Sequence, residues 1–242
     1  LQHARISVGE RALSLLPGSY KLWKTHLEFR SSFLLRSVAS HRNRNANYPL
    51  SCSSSSKRYK ATVSAFERSL VRMNKMPRIW IMYTNFVMDC DPGCGISHVR
   101  RLFDRALLAL PATQHDLIWP GYLHWSKTGK SSSRRRKEEE DEDDEEESGI
   151  PHETTLRILR RHAHYFDLSA REELVNSCLK YNRYGEASSL LVEILNDESF
   201  VSPNGTTRHE LWMKLAEICT LHPEETRRDG GVDFDGIVRA AL

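Results

Sequence analysis

The chain has 242 residues, 39% hydrophobic and 28% charged, with a formal net charge of +3, a profile that fits one or two globular domains able to bury a substantial core. Twelve glycines and nine prolines exclude a collagen-like or low-complexity chain, and no run approaches the roughly 18 apolar residues of a membrane-spanning helix. Five scattered cysteines form no disulfide framework and fit a reducing compartment, cytosol or nucleus.

A helical pattern is under way by Ile6, so the chain reads as a fragment of something longer. Gly9-Glu10-Arg11-Ala12-Leu13 is followed by Pro17, which removes a backbone donor and ends a helix. Trp23 with Leu27 opens a second helical stripe. Ser31 to Ser56 is polar and predicts a long connection, about residues 31–56. Phe66-Glu67-Arg68-Ser69-Leu70 repeats the first motif, and Trp80 with Tyr83 and Val87 repeats the second. Cys90, Cys94 and His98 have a Cys-x3-Cys-x3-His spacing, but no fourth ligand is evident where structural zinc needs four; the stretch, with Asp91-Pro92-Gly93, is read as a loop.

Phe103-Asp104-Arg105-Ala106-Leu107 gives the motif a third time, with Pro111 after it, and Trp119 with Tyr122 and Leu123 follows. Residues 127–150 read as a disordered charged insert, because Glu138 through Glu147 is acidic at every position and such a segment cannot bury enough apolar surface to order itself. Arg134 to Glu147 holds four basic and ten acidic side chains, a local charge of −6 that leaves +9 for the rest. Arg134, Arg135, Arg136 and Lys137 form a candidate nuclear-import signal. From 151 onward the helical period persists: Leu156, Leu159, Ala163 and Phe166 make one stripe, Ala187, Leu190, Leu191 and Ile194 another, and Trp212 with Leu215 and Cys219 a third.

The motifs keep register. From the first residue of each acid-arginine motif to the next tryptophan is 14, 14 and 16 residues, and the tryptophans are 57 and 39 apart. The excess of 18 matches the polar stretch, and Leu174 to Trp212 is 38, so a period near 38 survives. No alternating strand of convincing length is present. The expected fold is therefore all-α: an α-solenoid of antiparallel helix pairs, about eleven helices, in which each pair cannot bury its apolar face without its neighbours. Residues 1–126 form its first part and 151–242 its continuation, as a fragment of a longer superhelix. Trp23, Leu27, Phe66, Trp80, Tyr83, Phe103, Trp119, Tyr122, Trp212 and Leu215 are the expected repeat core.

The alternation of a Trp-x-x-Tyr helix with a Phe-Glu/Asp-Arg-Ala/Ser-Leu helix at this period resembles half-a-TPR (HAT) repeats, which occur in RNA-processing factors. The strings Leu16-Pro17-Gly18-Ser19-Tyr20-Lys21-Leu22-Trp23, Met76-Pro77-Arg78-Ile79-Trp80, Arg100 to Leu107 with Leu110 to His115, and Asn196 to Ser202 are similar to the Syf-type pre-mRNA-splicing factors, the XPA-binding protein family. Gly9, where an aromatic is expected, and the acidic block depart from that family. The resemblance implies a nuclear, non-catalytic protein-protein scaffold of the activated spliceosome, partnered by the Nineteen complex and an intron-binding helicase subcomplex, with a link to transcription-coupled repair in animals. A direct RNA-binding repeat protein and a generic TPR-like peptide adaptor are the competing readings; the first is motivated by the +9 charge, but the aromatics that would stack bases occupy core positions.

No Gly-rich phosphate loop, Gly-x-Ser-x-Gly elbow or His-Glu-x-x-His run is present, so neither an enzyme nor a cofactor or small-molecule substrate is expected. Arg68 and Arg105 are read as making ion pairs between neighbouring helices. His162 and His164, two apart on a helix, face different ways and are read as surface histidines.

Overall fold

The computed structural model describes residues 2–42, 57–90, 95–130 and 149–229. All regular secondary structure among them is helical, and the chain divides into two units, Leu1–Gly149 and Ile150–Leu242.

Unit 1 contains α1 (Gln2–Leu15), α2 (Tyr20–Arg42), α3 (Lys57–Met73), α4 (Pro77–Cys90), α5 (Ile96–Ala109), a 3-10 turn (Ala112–Leu117) and α6 (Trp119–Thr128). Consecutive helices pack on one another from α1 to α5, and α2 also packs on α4. The α3–α4 link is only residues 74–76, which folds the pair back as a helical hairpin. Pro77 stands at the first position of α4, where its missing N–H leaves no helical bond unmade. Gly129 ends α6 in the left-handed region (φ 69°), with its N–H on the Trp125 carbonyl, the usual glycine stop.

Unit 2 contains α7 (His152–Tyr165), a 3-10 turn (Leu168–Ala170), α8 (Arg171–Lys180), α9 (Tyr184–Asn196), α10 (Arg208–Leu221) and α11 (Pro223–Asp229). Here α7 packs on α8, α8 on α9, and α9 on both α10 and α11. Thr207 and Glu210 form a reciprocal capping box at the start of α10, which satisfies two of its otherwise orphaned donors.

Two boundaries differ from the sequence expectation. The polar stretch 31–56 is helical up to Arg42, because Leu34 continues the stripe of Leu27 and is buried, and Phe33 stacks on Phe29, four residues before it, at 6.3 Å. Residues 43–56 lie outside the described residues. The expected insert 127–150 is narrower as well: α6 includes Lys127 and Thr128, and Ile150 is buried. Residues 131–148, with Arg134, Arg135, Arg136, Lys137 and the acidic run, lie outside the described residues.

Candidate functional site

The feature that could serve a function in unit 1 is the seam along which one repeat meets the next. It starts from the tryptophans. Trp23, Trp80 and Trp119 are each no more than 4% exposed, as are Leu27, Phe66, Tyr83, Phe103 and Tyr122. The indole N–H groups of Trp23 and Trp80 donate to the carbonyls of Pro17 and Asn74, six residues back, at 2.8 Å each. The bond fixes the ring against the turn that precedes its own helix and meets the polar requirement of a buried indole.

Three residues after each tryptophan comes the residue that joins the two helices of a repeat. Tyr83 stacks on Phe66 at 4.8 Å, and its hydroxyl donates to Glu67 at 2.9 Å; Tyr122 stacks on Phe103 at 4.6 Å and donates to Asp104 at 3.3 Å. The acid-arginine motif thus presents its first residue to the ring and its second to the hydroxyl. Burial, and then the Glu67 carboxylate, push the Tyr83 phenol well above its ordinary range, so it remains a donor.

The first repeat carries a paired exception. His26 takes the tyrosine position and Gly9 the phenylalanine position. The imidazole Nε2 lies 3.1 Å from Glu10, and a Cβ built on Gly9 would stand 2.3 Å from its Nδ1. Glycine is therefore required because the histidine ring occupies the place of a side chain, and the two departures are one substitution of packing. Burial and the Arg30 guanidinium hold His26 below the usual histidine range against the opposing pull of Glu10; the neutral ring donates to the carboxylate through Nε2.

The arginines run between repeats. Arg68 on α3 contacts both oxygens of Glu10 on α1 at 2.8 Å, and Arg105 on α5 contacts both oxygens of Glu67 on α3 at 2.8 Å. Each arginine therefore takes the acid of the preceding repeat, not the acid beside it in the chain. The same guanidiniums lie over the preceding repeat's indoles, Arg68 at 5.9 Å from Trp23 and Arg105 at 5.5 Å from Trp80, within cation–π range. Hydrogen bonding from Arg105 holds the Glu67 carboxyl below the usual range, burial opposing. At Glu10 burial pushes the other way but is outweighed by Arg68, Arg30 and His26.

Unit 2 carries one charged tie of the same kind, Arg160 on α7 bonding both oxygens of Glu186 on α9 with Glu153 beside it, and adds a second fastening. Buried Arg171 bonds Asp197 at 2.6 Å and lies 5.4 Å from the Phe200 ring, while Glu172, 4% exposed, accepts from the hydroxyls of Ser202 and Thr206. Arg208 donates to the Leu195 carbonyl. Together these hold the connection between α9 and α10 onto the start of α8. The string Asn196 to Ser202 is therefore a latch.

Several expected residues fall elsewhere. Trp212 is only half-buried, because Leu211, Leu215, Ile218 and Cys219 form the buried face of α10 and Trp212 stands one residue off it. His162 is buried against Phe166 while His164 is exposed, so only one of the two is a surface histidine; Phe166, expected on the buried stripe, is 38% exposed. Cys90 is buried, His98 is exposed, and Cys94 lies outside the described residues. Among the described residues no group of three metal-binding side chains is assembled. Burial pushes the Cys178 thiol up to about 12, which keeps it protonated and unreactive. Sequence reasoning missed Phe86 and Trp125, both buried; each extends the Trp-x-x-Tyr spacing by another three residues. It also missed His26, Arg171 and Glu172.

The helix pairs of unit 1, recurring near 38 residues with a buried Trp-x-x-aromatic helix and an acid-arginine helix bonded across repeats, define a HAT-repeat protein. The model for the pre-mRNA-splicing factor Syf1/CNRKL1 N-terminal HAT repeat matches residues 1–137, and that for the SYF1 middle HAT repeat matches residues 171–242. The chain belongs to the Syf1 family of HAT-repeat proteins. It is 36% identical to the pre-mRNA-splicing factor syf1 homolog of Drosophila melanogaster over 97% of its length and 22% of that protein's, and 34% identical to human pre-mRNA-splicing factor SYF1 over 96% and 22%. With cwf3 of Schizosaccharomyces pombe it shares 29% over 98% of its length and 25% of the relative's. The chain thus spans about a quarter or less of the length of these relatives.

Proposed function

We propose that this chain is a segment of a non-catalytic protein-binding scaffold that acts in pre-mRNA splicing, in association with the Nineteen complex and the intron-binding helicase subcomplex. The observation that carries the reading is the cross-repeat ladder, Arg68 on Glu10 and Arg105 on Glu67, in a chain whose relatives are named pre-mRNA-splicing factors. Stacked hairpins tied at successive rungs offer partners an extended rigid surface and need no reactive pocket. The test is capture on the immobilised chain from nuclear extract with and without RNase treatment, with proteins identified by mass spectrometry. Enrichment of both named subcomplexes is expected; their absence, or capture that vanishes with RNase, contradicts the scaffold reading and favours RNA binding. We also propose nuclear residence, with Arg134, Arg135, Arg136 and Lys137 as the import signal. Alanine at all four should move a fluorescent fusion into the cytoplasm, and unchanged nuclear fluorescence contradicts the assignment.

A further inference from the structure

The outward faces of α3 and α5 are built in register. Positions 37 apart match: Arg68 with Arg105, and Val71 with Leu108, all four exposed. The Arg105–Glu67 bridge links the two helices. Together these helices carry eight lysines and arginines against two acids, Glu67 and Asp104, and both acids accept hydrogen bonds at the seam. What faces solvent is therefore basic. Lys60 on α3 and Arg101 on α5 are exposed on the same stripes.

The exposed valine and leucine are the informative residues. The outer stripe of a solvated helix is ordinarily polar, yet Val71 and Leu108 are each 81% exposed and recur at the same rung of successive repeats. A nucleic acid would use the cations and would ask for exposed aromatics to stack its bases. On these helices Tyr59, Phe66 and Phe103 are all buried. Aliphatic side chains flanked by cations complement a segment that carries carboxylates beside aliphatic residues, with the apolar centre and polar rim of a protein interface.

We infer that the outward face of α3 and α5 is a docking surface for an acidic, aliphatic peptide segment of a partner protein, centred on Val71 and Leu108 and flanked by Lys60 and Arg101. The inference deepens the scaffold reading by naming one face and the chemistry of its occupant. Lys60 and Arg101 attract and orient the segment, and burial of the two aliphatic side chains holds it.

The test is fluorescence anisotropy on the full chain with two probes: a 20-residue peptide with glutamate and leucine on one helical face, and a 20-nucleotide oligouridine. A second form of the chain, with serine at residues 138–147, is titrated in parallel because the chain's own acidic run could compete. Val71→Ser/Leu108→Ser is expected to weaken the peptide at least fivefold and to leave oligouridine binding and the melting temperature unchanged. Lys60→Glu/Arg101→Glu is expected to abolish peptide binding. Tighter binding by the serine form would mean that the acidic run competes for this face, in support of the inference. A smaller effect of the double serine variant, failure of both forms to bind peptide, or tighter binding of oligouridine than of peptide overturns it. Capture of splicing proteins by a chain that fails this test would leave the scaffold reading standing and remove only the docking face.

Discussion

Unit 1 and unit 2 use different side chains to hold helical hairpins. In unit 1 the contacts are aromatic and periodic: an indole bonded to the preceding turn, a ring stack within the repeat, and an arginine reaching back to the previous repeat's glutamate. In unit 2 the core is aliphatic, with Leu156, Leu159, Leu174, Leu191 and Ile194 each no more than 2% exposed. Its charged contacts fall in two places: Arg160 on α7 bonds both oxygens of Glu186 on α9 and also Glu153, and Arg171 and Glu172 hold the α9–α10 connection. A repeat in unit 1 is thus joined to its neighbour by named directional contacts. A hairpin in unit 2 is joined by shape, by the Arg160–Glu186 pair and by the latch. The fold demands an apolar face at helical spacing; the residues that supply it are free to vary, and so are the polar ties at its edge.

The largest effect should come from the aromatic core. Trp80→Ala removes a 2% exposed indole and leaves a cavity, which should cost about 3–5 kcal/mol in urea or thermal unfolding followed by circular dichroism. A melting temperature within two degrees of the parent would break the assignment of this tryptophan to the core. The next effect belongs to the latch of unit 2. Glu172→Ala leaves the Ser202 and Thr206 hydroxyls without their carboxylate and should cost about 2–3 kcal/mol, with faster hydrogen exchange from residue 197 to 207. Because burial of Glu172 is outweighed by those hydroxyls, its folded pKa lies below the usual glutamate range. Its contribution is therefore complete above that range and lost as pH falls through the depressed value, so the stability gap between parent and variant should narrow in acid.

A third test concerns the unusual first repeat. Gly9→Ala improves helix propensity by about 1 kcal/mol but drives a Cβ into the His26 ring. Overpacking of about 1–3 kcal/mol should make the net effect a loss. Adding His26→Ala should recover the clash term, measured as a positive coupling in the double-mutant cycle. A stabilised single variant would show that Gly9 and His26 are not paired.

Much of this architecture was legible in the sequence, and the illegible parts have physical reasons. The register of Trp23, Trp80 and Trp119 with the acid-arginine motifs exposes the repeat, because a buried side chain must recur at the repeat's own period. Gly9 was visible as an anomaly, but its cause was not: His26 is a common residue type and lies on the next helix. Arg171 and Glu172 look like the solvated first turn of a helix, and their partners are 26 to 34 residues away in a stretch that reads as turn. Trp212 misled because residue type was weighed above phase; Leu211 and Leu215 set the buried face of α10, and a neighbouring residue lies about 100° round it. The end of α2 was missed because four of the six residues from Ser37 to Arg42 are polar and, with Ser31 and Ser32 before them, read as a connection.

The cross-repeat ladder is the centre of the account, and a pair of double-mutant cycles tests it most directly. Glu67 is adjacent in sequence to Arg68 but bonds Arg105 of the next repeat. Cycles with Glu67→Gln, Arg105→Gln and Arg68→Gln should give a coupling of about 0.5–1 kcal/mol for Glu67 with Arg105, modest because the pair is half-exposed, and none within error for Glu67 with Arg68. Coupling of Glu67 to Arg68 in place of Arg105 would mean that the charges pair within each motif, and that the repeats are not joined as described.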